Sequence, residues 1–218
     1  AGPIGVFLVL RRMSLMGDAM SHAILPGAAL GYLAFGLSLG AMTVGGIVAG
    51  LVVVFAAGLV TRASVLKEDA SLAAFYLLSL AAGVMIVSLR GQNLDLLHVL
   101  FGSVLGLDDA SLLLIASIAS VTLASLALLF RPLVMECFDP AFLRGVSRWS
   151  PVAHYGFLML VVVNLVSGFH ALGTLMAVGI MILPAAAARL WTNGLPMLLL
   201  LAVLFAFGSG ASGLLLSF

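Results

Sequence analysis

Apolar residues run along this chain in long blocks, separated by short clusters of charged and turn-forming residues. The blocks fall at about 1–10, 14–37, 41–61, 70–89, 110–130, 152–169, 171–189 and 195–218. A hydrocarbon layer about 30 Å thick is crossed by roughly 20 apolar residues in helical form. Each block therefore predicts a helix, the first being the second half of a crossing. A further stretch, 94–107, is too short to cross and predicts a re-entrant or surface helix. The pattern as a whole predicts an all-α bundle of about eight spans in one membrane domain, 1–218, whose longest connection is 131–151.

Composition narrows the class further. The chain is 64% hydrophobic and 8% charged, whereas soluble domains carry roughly 25% charged residues, so this much apolar surface cannot fit inside one soluble core. The net charge of +1 provides no basic field for nucleic acid. The single Cys137 cannot form an internal disulfide. Arg11 and Arg12 follow the first apolar run, the reverse of a signal peptide. Because that run is short and starts at Ala1, the sequence reads as truncated there, and also at its apolar end, Leu214 to Phe218.

Charge also predicts sidedness. If the first run exits to the cytoplasm, Arg11, Arg12, Arg62, Lys67, Arg131, Arg144, Arg148 and Arg189 lie inside and only Arg90 lies outside. Membrane proteins show this bias of basic residues. Asp95, Asp108 and Asp109 then form a mildly acidic outer mouth that attracts cations. Ala19, Ala23, Gly27 and Gly31 make a four-residue ladder, and Gly46 with Gly50 and Gly102 with Gly106 repeat its spacing. Small residues at this interval let helix backbones approach closely in lipid.

Charged side chains within a span are costly and mark candidate sites. Asp18 and His22 are four residues apart and share one helix face, where both reach a single ion. Pro26 has no N–H for the carbonyl of His22, which predicts a free oxygen on the same stripe. Carboxylate, imidazole and carbonyl together suit a divalent cation of intermediate hardness. The competing reading is structural, with Asp18 bonded to nearby backbone and His22 packed. His98 and His170 fall near the outer surface and are weaker metal candidates, while His154 sits at the inner edge of the sixth span. Pro184 frees the carbonyl of Ile180 and predicts a kink.

In the 131–151 connection, Asp139 followed by Pro140 is a helix start. The short helix it predicts exposes Phe142, Leu143 and Val146 beside Arg144 and Arg148, a surface suited to the groove of a cytoplasmic partner or to the lipid face. ATP hydrolysis by the chain itself is excluded for the phosphate-loop mechanism, because the only lysine, Lys67, lies between Leu66 and Glu68. Gly210-Ala211-Ser212-Gly213 matches the pattern of intramembrane serine proteases, but no histidine follows His170 to act as the base. A zinc protease motif H-E-x-x-H is absent.

The segment from Arg11 to Gly27, which includes Gly17-Asp18-Ala19-Met20-Ser21-His22-Ala23-Ile24-Leu25-Pro26-Gly27, resembles the metal-ion permeases of ATP-binding-cassette importers for zinc, manganese and iron(II). Agreement continues, in order, at Leu97 to Leu105, at Phe138-Asp139-Pro140 with Arg144-Gly145, and from Gly173-Thr174-Leu175 through Ile182-Leu183-Pro184 to Arg189. It covers essentially the whole chain. The resemblance implies the membrane fold of the cobalamin-type importers and a homodimer of permeases in a bacterial plasma membrane. It also implies two cytoplasmic ATPase subunits and an extracytoplasmic metal-binding protein as partners. Asp139, Pro140, Phe142, Leu143, Arg144 and Gly145 would form the coupling helix, and Asp18 and His22 the ion path. No permanent cofactor is implied. The cargo is Zn2+ or Mn2+, with Fe2+ possible within the family, and Asp with His suits either of the first two. A gradient-driven metal carrier remains the alternative.

Overall fold

A computed structural model describes residues 1–36, 38–66, 68–89, 109–139, 142–143, 145 and 150–217. Among these residues the fold is all helical. The long elements are α1 (Gly2–Leu10), α2 (Ser14–Ala23), α3 (Leu25–Phe35), α4 (Leu39–Ala63), α5 (Glu68–Leu89), α6 (Asp109–Phe138), α7 (Ser150–Trp191) and α8 (Leu195–Ser217). The expected segment 94–107 lies outside the described residues.

Five stretches within α4 to α8 are long and apolar enough to cross a membrane, and Leu175–Trp191 is a shorter apolar helix. Their outer faces are strongly apolar: Leu128 is 83%, Phe207 77% and Leu216 88% exposed. A helix that keeps its backbone bonded internally while exposing such a face is matched to hydrocarbon, not to water.

Three expected boundaries move. The block 14–37 is two helices, because Pro26 at the start of α3 has no N–H to continue the ladder and the chain turns at Ile24. The block expected to end at 130 continues through Arg131 and Pro132 to Phe138. This reduces the long 131–151 connection to the segment between Phe138 and Ser150. The blocks 152–169 and 171–189 form one element broken at Gly173, whose φ of 75° is left-handed backbone that glycine adopts without a Cβ penalty.

The core forms where α1, α2 and the first half of α7 pack, with Ile4, Phe7, Met20, Phe157, Val161 and Leu165 almost wholly buried. A Cβ on Gly5 would strike the Met181 carbonyl, and one on Gly17 the side chains of Met181 and Ile182. The α3–α4 crossing uses the expected ladder: Gly27 faces the Gly45 carbonyl, Gly45 the Gly27 carbonyl, and Gly31 the Ala41 carbonyl. Gly50 admits Val162 and Ile24. Gly102 and Gly106 lie outside the described residues. One polar bond ties α6 to α7 within the span, the Asn164 side-chain N–H donating to Thr122 Oγ1 at 2.7 Å.

Candidate functional site

The chain leaves α1 through a tight cap. Arg12 holds φ 59°, its N–H donates to the Val9 carbonyl, and the Met13 N–H reaches back to the Leu8 carbonyl. These two bonds form a Schellman turn with arginine where glycine is usual. It fixes α2 close behind α1, and α2 carries Asp18 and His22 on one face.

His22 Nε2 lies 3.8 Å from Asp18 Oδ1, beyond hydrogen-bond range. Its Nδ1 is buried with no partner among the described residues. Neither ring nitrogen is therefore committed to a protein hydrogen bond there. Tyr76 of α5 stacks on the imidazole at 6.5 Å between centroids, and the Ser79 hydroxyl donates to the Ala23 carbonyl at 2.9 Å, so α5 braces the end of α2. The Ser21 hydroxyl donates to the backbone carbonyl of Asp18 at 2.7 Å, while the Asp18 side chain stays 59% exposed. Two ligands held at roughly 2.0–2.2 Å from one ion can stand 3.8 Å apart. The gap thus admits a divalent cation.

The expected free carbonyl of His22 is not present. A backbone N–H at the C-cap of α2 closes onto it, because the chain tightens at Ile24 when Pro26 fails to donate. Pro26 instead helps to set the break between α2 and α3. His98 lies outside the described residues, as does the side chain of His170. Among the described residues, no group of three or more His, Cys, Asp or Glu side chains could hold a metal. Asp18 and His22 are thus the candidate pair that the described residues leave on this face, 3.8 Å apart.

Asp139 caps the next short turn as its sequence implies, with the Phe142 N–H donating to Oδ1 at 2.8 Å. Phe142 is exposed, whereas Leu143, expected beside it on the surface, is 4% exposed and faces inward. Gly145 is exposed. Pro140, Arg144 and Val146 lie outside the described residues.

A second cluster is not apparent in the sequence pattern. Arg11 Nη2 donates to His154 Nδ1 at 2.6 Å, and His154 Nε2 meets Glu68 Oε1 at 2.8 Å. Glu136, 3% exposed, places Oε1 3.8 Å from Arg11 and accepts the Ser150 hydroxyl on Oε2 at 3.1 Å. The Arg11 guanidinium also sits 5.3 Å from the centre of the Phe157 ring, a cation–π contact. These contacts place the ends of α1 and α6 and the starts of α5 and α7 at one end of the bundle. Unlike His22, His154 has both ring nitrogens engaged, so it is a structural residue and not an available ligand.

The sequence matches the ABC 3 transport family over residues 1–218. The chain belongs to that family. It is a permease, and the ATPase of such importers is a separate subunit. The permease is 34% identical over 217 residues to the manganese transport system membrane protein MntC of Halalkalibacterium halodurans, covering 99% of this chain and 73% of the relative. It is 33% identical over 213 residues to the manganese import system permease protein ScaB of Streptococcus gordonii, with 97% and 74% covered. A probable iron transport system membrane protein of Haemophilus influenzae is 30% identical over 215 residues, with 99% and 78% covered. PsaBC from Streptococcus pneumoniae, solved in complex with Fab, superposes with a TM-score of 0.79 at 31% identity over 95% of this chain and 74% of that one. The all-helical permease fold expected from the sequence agrees with this neighbour.

Proposed function

We propose that this permease carries a divalent manganese ion into the bacterial cytoplasm, past Asp18 and His22, driven by ATP hydrolysis in partner subunits. The observation that carries the reading is the pairing of an exposed carboxylate with an imidazole uncommitted through either nitrogen, 3.8 Å apart. Manganese is favoured over zinc by the manganese-named relatives, and a carboxylate–imidazole pair is chemically compatible with it. Two copies of the permease, two cytoplasmic ATPase subunits and an external metal-binding protein complete the assembly. His98 and His170 are proposed as outer contacts for the arriving ion.

The test is uptake of manganese and zinc isotopes into vesicles holding the permease with its ATPase and binding protein. ATP-dependent manganese uptake, with the ATPase co-purifying, is expected. Uptake that follows a proton or sodium gradient without an ATPase would establish a gradient-driven carrier instead.

The cluster around Arg11 and Glu136 puts three helix connections at one end, and the basic residues in their sequences support reading that end as cytoplasmic. In a variant lacking Cys137, a cysteine at Ser64 is expected to resist impermeant thiol reagents in intact cells, while one at Ser38 reacts. The opposite labelling pattern would invert the topology.

The capped turn after Asp139 is proposed as the docking element, with Pro140 and Arg144 contributing to it and exposed Phe142 as the apolar contact. Phe142→Asp is expected to lower ATPase capture by roughly tenfold or more, as loss of an interface anchor worth about 2 kcal/mol does, and to leave permease insertion intact. Pull-down of the ATPase from detergent extracts measures this, and wild-type capture by the variant excludes Phe142 from the interface.

A further inference from the structure

We propose that Arg11 and His154 are positioning residues that couple the turn capped by Asp139 to the helix bearing Asp18 and His22. The inference rests on the transport reading above and adds the route by which that turn reaches the Asp18–His22 pair.

The helix ends on both sides of that turn enter the cluster. Glu136 lies three residues before Asp139, and Ser150 is the first residue of α7, so the 3.1 Å bond from the Ser150 hydroxyl to Glu136 Oε2 joins those helix ends. One helical turn into α7, His154 takes Arg11 on one edge at 2.6 Å and Glu68 on the other at 2.8 Å. A guanidinium has only donors, so His154 Nδ1 accepts and Nε2 carries the hydrogen given to Glu68. The ring thus relays between α1 and α5 with a fixed sense.

Arg11 is the cap of α1, and the Schellman turn through Arg12 and Met13 leaves little slack before α2 begins at Ser14. A shift at Arg11 is therefore delivered to α2, with Asp18 one further turn in. The arrangement is not a sealed core. A cavity of about 320 Å³ borders Glu68, Glu136, Ser150 and His154, which gives these groups room to move. The side chain of Arg11 is only 8% exposed, and its Nη1 has no partner among the described residues, so the guanidinium is held by few bonds for its depth. Removing a partner leaves a buried charge uncompensated, so Arg11 depends on the few groups that hold it.

The test uses the assembled transporter in vesicles and reads metal ions imported per ATP hydrolysed. Residues in a coupling network change such ratios by roughly two- to thirty-fold. Arg11→Met and His154→Leu are expected to lower the ratio about tenfold while hydrolysis continues. The two conservative variants separate the arms of the relay. Asparagine places an acceptor near the position of Nδ1 and glutamine a donor near that of Nε2. His154→Asn is expected to keep a ratio close to wild type, and His154→Gln to fall with the leucine variant. An unchanged ratio in Arg11→Met and His154→Leu overturns the proposal. If those two assemble poorly, the Asn and Gln variants decide, and equal ratios in them overturn it. A wild-type transporter that imports neither manganese nor zinc overturns the transport reading itself and this proposal with it.

Discussion

Asp18→Asn and His22→Leu are each expected to lower metal uptake by roughly ten- to hundredfold while the permease still folds and binds its ATPase. The magnitude follows from the contact removed. A charge-assisted interaction contributes about 1.5–3 kcal/mol, and each factor of ten corresponds to about 1.4 kcal/mol. Asparagine keeps the size of Asp18 and a carbonyl oxygen but removes the charge that attracts a divalent ion into a low-dielectric passage. Leucine keeps the bulk beneath Tyr76 and removes both ring nitrogens. Folding survives because neither side chain is held by a hydrogen bond among the described residues, and Asp18 is 59% exposed. Pro26→Ala acts differently. The His22 carbonyl is already engaged, so this change alters only the break at Ile24, and its effect on uptake is expected to be smaller than that of either ligand change. Isotope uptake into vesicles, normalised to ATPase bound, checks all three variants. Near-normal uptake by both Asp18→Asn and His22→Leu would reduce the pair to structural residues.

The sequence showed this pair because both partners are on one helix, where a spacing of four residues fixes their proximity before any tertiary contact forms. The Arg11–His154–Glu68–Glu136 cluster was hidden for the converse reason. Its members come from four helices, and nothing local distinguishes His154, engaged on both edges, from His22, engaged on neither. One signal was available: Glu136 stands in an apolar stretch, Pro132 to Cys137, where an ionised carboxylate must find a partner. Reading Arg131 and Pro132 as the end of a span concealed it. Proline does not end a membrane helix when its surroundings satisfy the freed carbonyl, and α6 continues to Phe138. The same logic accounts for Leu143, whose position in a capped turn was legible from Asp139, whereas its inward face depended on packing that sequence does not encode locally.

Gly27→Leu is expected to abolish recovery of folded permease, a larger structural effect than any site variant above. At this crossing the backbones of α3 and α4 are themselves in contact: a Cβ on Gly27 would overlap the Gly45 carbonyl, and one on Gly45 would overlap the Gly27 carbonyl. Overpacking of side chains costs about 1–3 kcal/mol because neighbours can rotate away. Here the obstacle is main chain on both sides, so relief requires the two helices to separate and to lose the contacts at Gly31 and Ala49 as well. In lipid no hydrophobic force returns them, since the tails are as apolar as the helices and association rests on close packing. No single change on α4 rescues the variant, because position 45 has no side chain left to shorten. Gly208→Leu is the control: no described residue lies within 4 Å of the side-chain position there, and folded protein is expected in normal amount. Size-exclusion profiles of the detergent-extracted permease make the comparison. A monodisperse Gly27→Leu protein at wild-type yield would show that α3 and α4 cross farther apart than this glycine pair implies.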